Sequence, residues 1–403
     1  MILSNRIKKV KPSPTLEITA KAKALKAQGV DVISFGSGEP DFDTPNNIKQ
    51  AAIKALKDGK TKYTPAGGLP ELKKTIVSKY KIQNKLNFKI SEITVNCGGK
   101  HSFYNLMQVL LNKGDEVIIP APYWVSYPPM VSLADGKPVI IQTSKKNNFK
   151  ITPADLKKKI TRKTRAIVIN SPSNPTGVAY SKKELSELVK ILRKDILIIS
   201  DDIYESIKYD NLSLFNCANI SQSVKKQTIL LNGVSKTYSM TGWRIGYMAG
   251  PEDIIKKVET LQSQSTSNPT SIAQWAAIEA LSGSQVAVQK MVKAFTARRK
   301  LIVDKLNAIK GIECSWPDGS FYVFPEVSKV FKFKKWPKLA KKYKNTKAKS
   351  IILSSYLLDE AKVAVVPGFA FGNDNYFRLS FATSDANIIE GIKRIKVALE
   401  KLN

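Results

Sequence analysis

Between about residues 48 and 285 the chain alternates short apolar runs with helix-period stretches, and this alternation restricts the possible folds more than any other feature. The runs are EITVNC, DEVIIP, PVIIQT, RAIVIN, ILIISD, TILLNG and RIGYMAG. Between them lie stretches such as SKKELSELVKILRK, in which Leu185, Leu188, Val189 and Leu192 share one helical face. Strands that alternate with helices predict an α/β fold with a mostly parallel seven-stranded sheet covered by helices on both faces. In such sheets ligands sit at the carboxyl ends of the strands, so reactive side chains should follow the runs directly. They do: CGGK follows EITVN, APYWVSYP follows DEVIIP, SPSNPTG follows RAIVIN, DDIY follows ILIIS, and VSK follows TILLNG. Any one of these could be an ordinary turn, since Gly and Pro form turns anyway. Five on one rim predict a site.

Residues 48–285 thus read as a large domain, and 1–47 together with 286–403 as a smaller α/β unit built from both chain ends. The lysine-dense stretch 328–350 reads as a solvated insertion or helix.

Composition narrows the chemistry. The net charge of +32 invites a nucleic-acid or acidic-membrane partner, but the lysines are spread over most of the chain and only nine arginines are present. Arginine is the preferred reader of phosphates and bases, so neither a nucleic-acid nor a membrane role is expected. No run approaches the roughly 18 apolar residues of a membrane span. The start MILSNRIKKVKPSPT has no sustained apolar stretch, and a cytoplasmic location is expected. Three widely spaced cysteines (Cys97, Cys217 and Cys314) without a CxxC argue against a disulfide framework or a zinc site. The single histidine, His101, nearly excludes a histidine-based metal centre and is read as structural. Proton transfer must then fall to lysine, aspartate, tyrosine or a bound cofactor.

The stretch NGVSKTYSMTGWRIGYMAG (232–250) singles out a lysine: Lys236 sits between Ser235 and Thr237, with no further charge until Arg244. A lysine needed as an amine rather than as a surface charge is placed in this way. Taken with GEPDFDTP, YTPAGG, VNCGGKHSFYNL, PAPYWVSYP, NSPSNPTG, DDIY, AVVPG and FRLSFATS, in that order and spacing, the chain resembles the class I aminotransferases from about residue 10 to the C-terminus. The similarity is greatest to the bacterial aspartate aminotransferases in which the lysine of GGK reads the substrate's second carboxylate.

The resemblance implies fold type I, pyridoxal 5′-phosphate as cofactor and a homodimer with shared active sites. It implies that Lys236 carries the cofactor and shuttles a proton, a role that needs an amine able to be neutral near pH 7. The family pattern places an aspartate three residues before Tyr204, which selects Asp201 as the carboxylate beside the ring nitrogen. On a strand, Asp201 and Asp202 point to opposite sides, so only one can serve, and Asp202 is expected to be a surface acid. Tyr204 and Asn174 are implied at the phenolic oxygen and Trp124 on the ring face. Arg244 and the backbone N–H groups of Gly99 and Lys100 are implied at the phosphate, provided a helix starts there. Tyr63 is implied to reach the phosphate of the partner's site. Some relatives have a phosphate-binding serine three residues before the lysine; this chain has Gly233 there, and Ser235 is the candidate replacement.

Arg378 is the implied partner of the substrate α-carboxylate, helped by Gly38 and Asn174, and Lys100 the reader of the distal one. Two cationic readers imply small dicarboxylic amino and oxo acids, exchanged between aspartate and 2-oxoglutarate in a ping-pong cycle. Lys11 is either a surface lysine or, as in similar bacterial enzymes, an extra cation for prephenate. The alternatives are an aromatic- or alanine-preferring aminotransferase, or a basic regulator that binds the cofactor without turnover.

Overall fold

The structure is a computed structural model that describes residues 3–10, 14–343 and 346–403. In chain order the strands are β1 (Ile33–Ser34), β2 (Ile93–Asn96), β3 (Glu116–Ala121), β4 (Lys137–Gln142), β5 (Thr164–Asn170) and β6 (Leu197–Asp201). They continue with β7 (Thr228–Gly233), β8 (Gly246–Ala249), β9 (Tyr322–Val323), β10 (Val363–Ala364), β11 (Val366–Pro367) and β12 (Phe377–Ser380). Each of the seven predicted runs supplies one strand of a seven-stranded sheet, ordered β2-β8-β7-β6-β5-β3-β4. Strands β3 to β7 pair in parallel, and β8 alone runs against both its neighbours.

Burial follows the two-residue period of a strand. Val117, Ile119, Val168 and Ile199 face one layer, packing with Phe103 and Met107 of helix Gly99–Leu110 and with Ile255 and Val258 of helix Glu252–Ser263. Their neighbours Ile118, Ile167, Ile169 and Ile198 face the opposite layer and meet Leu185 and Leu188. Covered on both faces, the central strands need apolar side chains at nearly every position, which is why they read as continuous apolar runs.

Helix Lys182–Val189 shows how local sequence places these covers. Ser181 Oγ accepts the Glu184 N–H at 3.3 Å while the Glu184 carboxylate accepts the Ser181 N–H at 2.7 Å, a reciprocal cap. The helix is shorter than its apolar pattern predicts. Ile191 and Leu192 donate to carbonyls three residues back, a tightened turn that lets the chain enter β6 at Leu197.

A second core unites Ile33 and Phe35 with Phe295 and Ile302 of helix Val286–Asn307, Phe377 and Leu379 of β12, and Ile388 and Ile395 of helix Asp385–Glu400. The two-stranded pair β1-β10 and the three-stranded order β11-β12-β9 lie in this part of the chain. Residues 328–350 do contain a helix, Trp336–Lys342, but they are not simply solvated. Val330, Trp336 and Leu339 are buried in this core, and the lysines around them are mostly exposed. The lysine density masked an apolar set that only folding gathers.

The strand order reverses around β3. The chain steps outward from β3 to β4, then returns to β5 on the other side, leaving a crevice at the carboxyl ends of β3 and β5.

Candidate active site

That crevice opens into a cavity of about 460 Å³, and every predicted site residue except Tyr63 and Lys11 lines it. Lys11 lies outside the described residues. Tyr63 is 90% exposed and away from the cavity of its own chain.

Lys236 follows β7 and turns its amine into the cavity, where Nζ donates to the Gly38 carbonyl at 2.5 Å. Burial pushes its pKa down to about 8; Glu39 opposes the shift, and the positive charges of Arg244, Arg378 and Lys100 reinforce it. A neutral amine is therefore accessible near physiological pH, which is what a proton carrier requires.

Asp201 ends β6, and its carboxylate faces the same cavity. Burial raises its pKa, while hydrogen bonds from the Tyr127 hydroxyl and the Ile203 N–H, and the charge of Lys236, oppose that rise. Asp202 points the other way, as strand geometry demands, but it is no surface acid: it is 6% exposed. Ser200 Oγ lies 2.8 Å from one of its oxygens and Asn216 Nδ2 donates to the other. Burial and the nearby Glu205 push its pKa up to about 8. The side opposite the cavity is interior, so strand alternation predicted the direction of Asp202 and not its exposure.

At the far wall Arg378, 2% exposed, donates from Nη1 to Asn174 Oδ1 at 3.0 Å and from Nη2 to the Gly36 carbonyl at 2.9 Å. Its guanidinium stacks 4.3 Å from the Tyr322 ring, and Nε is buried without a hydrogen-bond partner among the described residues. A buried fork with spare donors suits a carboxylate. The Tyr204 and Tyr322 hydroxyls lie 3.0 Å apart, which links this wall to the end of β6. Asn174 is set by its own N–H, which donates to Asn170 Oδ1 at 2.8 Å; Asn170 Nδ2 in turn donates to the Asp201 carbonyl.

The opposite end is a helix N-terminus. Helix Gly99–Leu110 begins after Gly98, whose φ of +92° favours glycine. The N–H groups of Gly99 and Lys100 have no acceptor among the described residues and are available to an anion. Arg244 lies across this turn and donates to the Thr241 carbonyl at 2.8 Å. A Cβ on Gly98 would come within 2.5 Å of its guanidinium. Gly233 pairs with Gly246, and a Cβ at Gly246 would meet the Gly99 nitrogen at 2.3 Å. Even at Gly233 a Cβ would sit 3.0 Å from the Ile245 carbonyl, so a serine there would be crowded. Ser235 is buried on the cavity wall two residues later.

Lys100 stands at the rim with its stem open to solvent and its Nζ turned inward, 5.3 Å above the Trp124 ring; partial desolvation of the amine, then the charge of Arg244, lowers its pKa. His101 does not line the cavity; its Nδ1 accepts the Cys97 N–H at 3.3 Å, a local structural contact. Among the described residues no group of three or more side chains could hold a metal ion, and no helix is long and apolar enough to cross a membrane. Sequence reasoning missed Tyr127 and Tyr322. Tyr127 was visible in PAPYWVSYP, three residues after Trp124; Tyr322 carried no signal, because it comes from β9, far along the chain.

Residues 30–395 match the family described as aminotransferase class I and II. The chain is 52% identical over 395 residues, 98% of each chain, to an aspartate aminotransferase of Bacillus sp. strain YM-2. It is 51% identical to an aspartate/prephenate aminotransferase of Nitrosomonas europaea, covering 98% of this chain and 99% of that one. In three dimensions it superposes on the aspartate aminotransferase of Rhizobium meliloti with a TM-score of 0.94 and 42% identity over the whole of both chains.

Proposed function

Because this chain belongs to the class I and II aminotransferases, we propose that it moves the amino group of L-aspartate to 2-oxoglutarate, giving oxaloacetate and L-glutamate. The observation that carries this reading is one cavity holding a displaced-pKa amine at Lys236, a carboxylate at Asp201 and a buried guanidinium at Arg378. The family's cofactor is pyridoxal 5′-phosphate, and the donor set fits it. The two free N–H groups of Gly99 and Lys100, with Arg244 beside them, suit a phosphate. Asp201 suits a protonated ring nitrogen, Trp124 a ring face, and Tyr204 with Asn174 a phenolic oxygen. When bound, the cofactor supplies an aldehyde that receives the amino group and a ring that takes up electrons from the substrate Cα.

The chain's own residues do the rest. Lys236 Nζ would hold the cofactor and, once free, would serve as the base for the substrate Cα proton; the cations around it keep the amine from holding that proton too tightly. Arg378 grips the substrate α-carboxylate with the N–H groups that Asn174 and Gly36 leave free, and Gly38 borders the same end. Lys100 reads the distal carboxylate from the rim. Ser235 adds a hydroxyl on the phosphate side. Tyr63, exposed on its own chain, reaches the phosphate of the partner's site in a homodimer. The division into a large domain (48–285) and a small one (1–47 with 286–403) belongs to the same reading; the second core joins Ile33 to Phe295 and Leu399 from the other chain end, and Tyr204, Ile207 and Tyr209 of the large segment pack into it as well.

The test is spectroscopic. Purified protein should absorb in the visible region, lose that band on addition of aspartate and regain it with 2-oxoglutarate; a band that aspartate leaves untouched while phenylalanine or alanine bleaches it would sink the assignment. Prephenate is a second acceptor on this reading, because the Nitrosomonas europaea relative is named for it. If Lys11→Ala loses prephenate turnover and keeps oxaloacetate turnover, Lys11 reads the extra carboxylate; equal loss or no loss removes that role.

A further inference from the structure

Asp201 has two hydrogen-bond donors among the described residues, one on each oxygen. The Ile203 N–H reaches Oδ1 at 3.2 Å, and the Tyr127 hydroxyl donates to Oδ2. Tyr127 is 1% exposed and opens the short helix Tyr127–Leu133. Its N–H donates to the Trp124 carbonyl at 3.1 Å, so both residues belong to one turn after β3. Its ring stands edge-on to Trp124, with centroids 5.1 Å apart at 84°, and leans on Phe103 at 4.8 Å. The ring therefore has little freedom, and its hydroxyl reaches the crevice at one spot.

We propose that Tyr127 is a positioning residue for the transfer reaction: its hydroxyl holds the Asp201 carboxylate charged and oriented, and the turn it shares with Trp124 couples the ring-nitrogen contact to the ring-face contact. The proposal rests on the reading of the site as a pyridoxal-phosphate site. Its direction is physically determined. Burial and the neighbouring Asp201 charge hold the Tyr127 phenol well above its ordinary pKa, so it donates and does not compete for the charge. The Asp201 carboxyl, raised by burial, has this hydrogen bond as the largest influence keeping it ionised. The other titratable groups around it are Lys236, which lowers its pKa, together with Tyr204 and Asp202 on the same turn. Without the hydroxyl the carboxyl should protonate at higher pH and rotate more freely about its last bond.

Tyr127→Phe in the holoenzyme removes the hydroxyl and keeps the ring. A hydrogen bond to a charged group is worth about 10- to 100-fold in an equilibrium. The expected result is that cofactor retention on dialysis, followed by visible absorbance, weakens by about that factor. The kcat should fall similarly, with the KM for aspartate within about twofold, and the acid limb of the kcat–pH profile should move to higher pH. Phe103→Leu loosens the same ring without touching the hydroxyl and should leave that limb in place. Unchanged retention and an unchanged limb in Tyr127→Phe overturn the proposal, as does an equal shift in Phe103→Leu, which would mark the effect as packing. A wild-type protein that retains no cofactor overturns the site reading and this inference together; a wild-type protein that turns over while Tyr127→Phe matches it overturns this inference alone.

Discussion

Lys79 and Lys236 both carry their amines inward, and their partners differ. Lys79, on helix Pro70–Asn84 and 5% exposed, is paired with the Glu205 carboxylate, donates to Asn84 Oδ1 at 2.9 Å, and lies 4.5 Å over the Tyr80 ring. Lys236 has a lone backbone carbonyl as its hydrogen-bond acceptor; burial lowers its pKa, Glu39 opposes from outside hydrogen-bond reach, and three cations add to the lowering. The first is an ammonium satisfied as an ammonium. The second is placed where holding a proton is costly, and a buried amine without a carboxylate partner is the one available for chemistry. Burial alone therefore does not mark a reactive lysine; the partner does.

Lys236→Met should separate the two cases most sharply. Turnover should fall at least about 10³-fold, since the covalent and acid–base roles proposed for Lys236 would both vanish. The cofactor-free variant should nevertheless be more stable than cofactor-free wild type by about 1–3 kcal/mol at pH 7, measured by urea unfolding. The sign follows from proton uptake. The folded-state pKa near 8 lies below the ordinary lysine value, so the unfolded chain binds the extra proton and wild-type stability rises with pH from about 8 to 10.5. The advantage of the variant should fade across that window; a constant or reversed difference would break the comparison.

Lys79→Met should behave in the opposite way. It strands the Glu205 carboxylate among Asn84, Asn232 and the apolar core, and removing one partner of a buried pair costs about 3–5 kcal/mol. Activity per folded molecule should change by less than about threefold. A Lys79→Met protein as stable as wild type would show that the pair is better solvated than its burial implies.

The effect that is smallest in acid and grows with pH is expected on the same network at Asp202. With a pKa near 8, above the unfolded carboxyl value, the folded state binds more protons, so this group costs stability as pH rises from about 4 to 8. Asp202→Asn keeps the shape and should be neutral to within about 1 kcal/mol at pH 4, becoming the more stable form at pH 8. Equal urea midpoints for both proteins at both pH values would mean that Asp202 is ionised at no extra cost.

Much of the site was legible along the chain because a parallel sheet sends the ends of consecutive strands to one rim. Asp201 ends a strand, Lys236, Asn174, Trp124 and Lys100 come shortly after one, and each lines the cavity. Tyr322 was not legible: it reaches the cavity from β9, and nothing near GSFYVF distinguishes its tyrosine from a core residue. Tyr127 was in plain view, but its contact with Asp201 joins residues 74 positions apart, a relation no local pattern encodes.

Period and punctuation thus determined the architecture and the order of the reactive segments, because strand alternation, helix periodicity and turn-forming residues act over a few neighbours. Tertiary structure alone decided which charges meet. It buried Asp202 beside Glu205, gave Lys79 a hydrogen-bonded acid and gave Lys236 a backbone carbonyl instead, since desolvation and Coulomb energies depend on distance through space and not on separation along the chain.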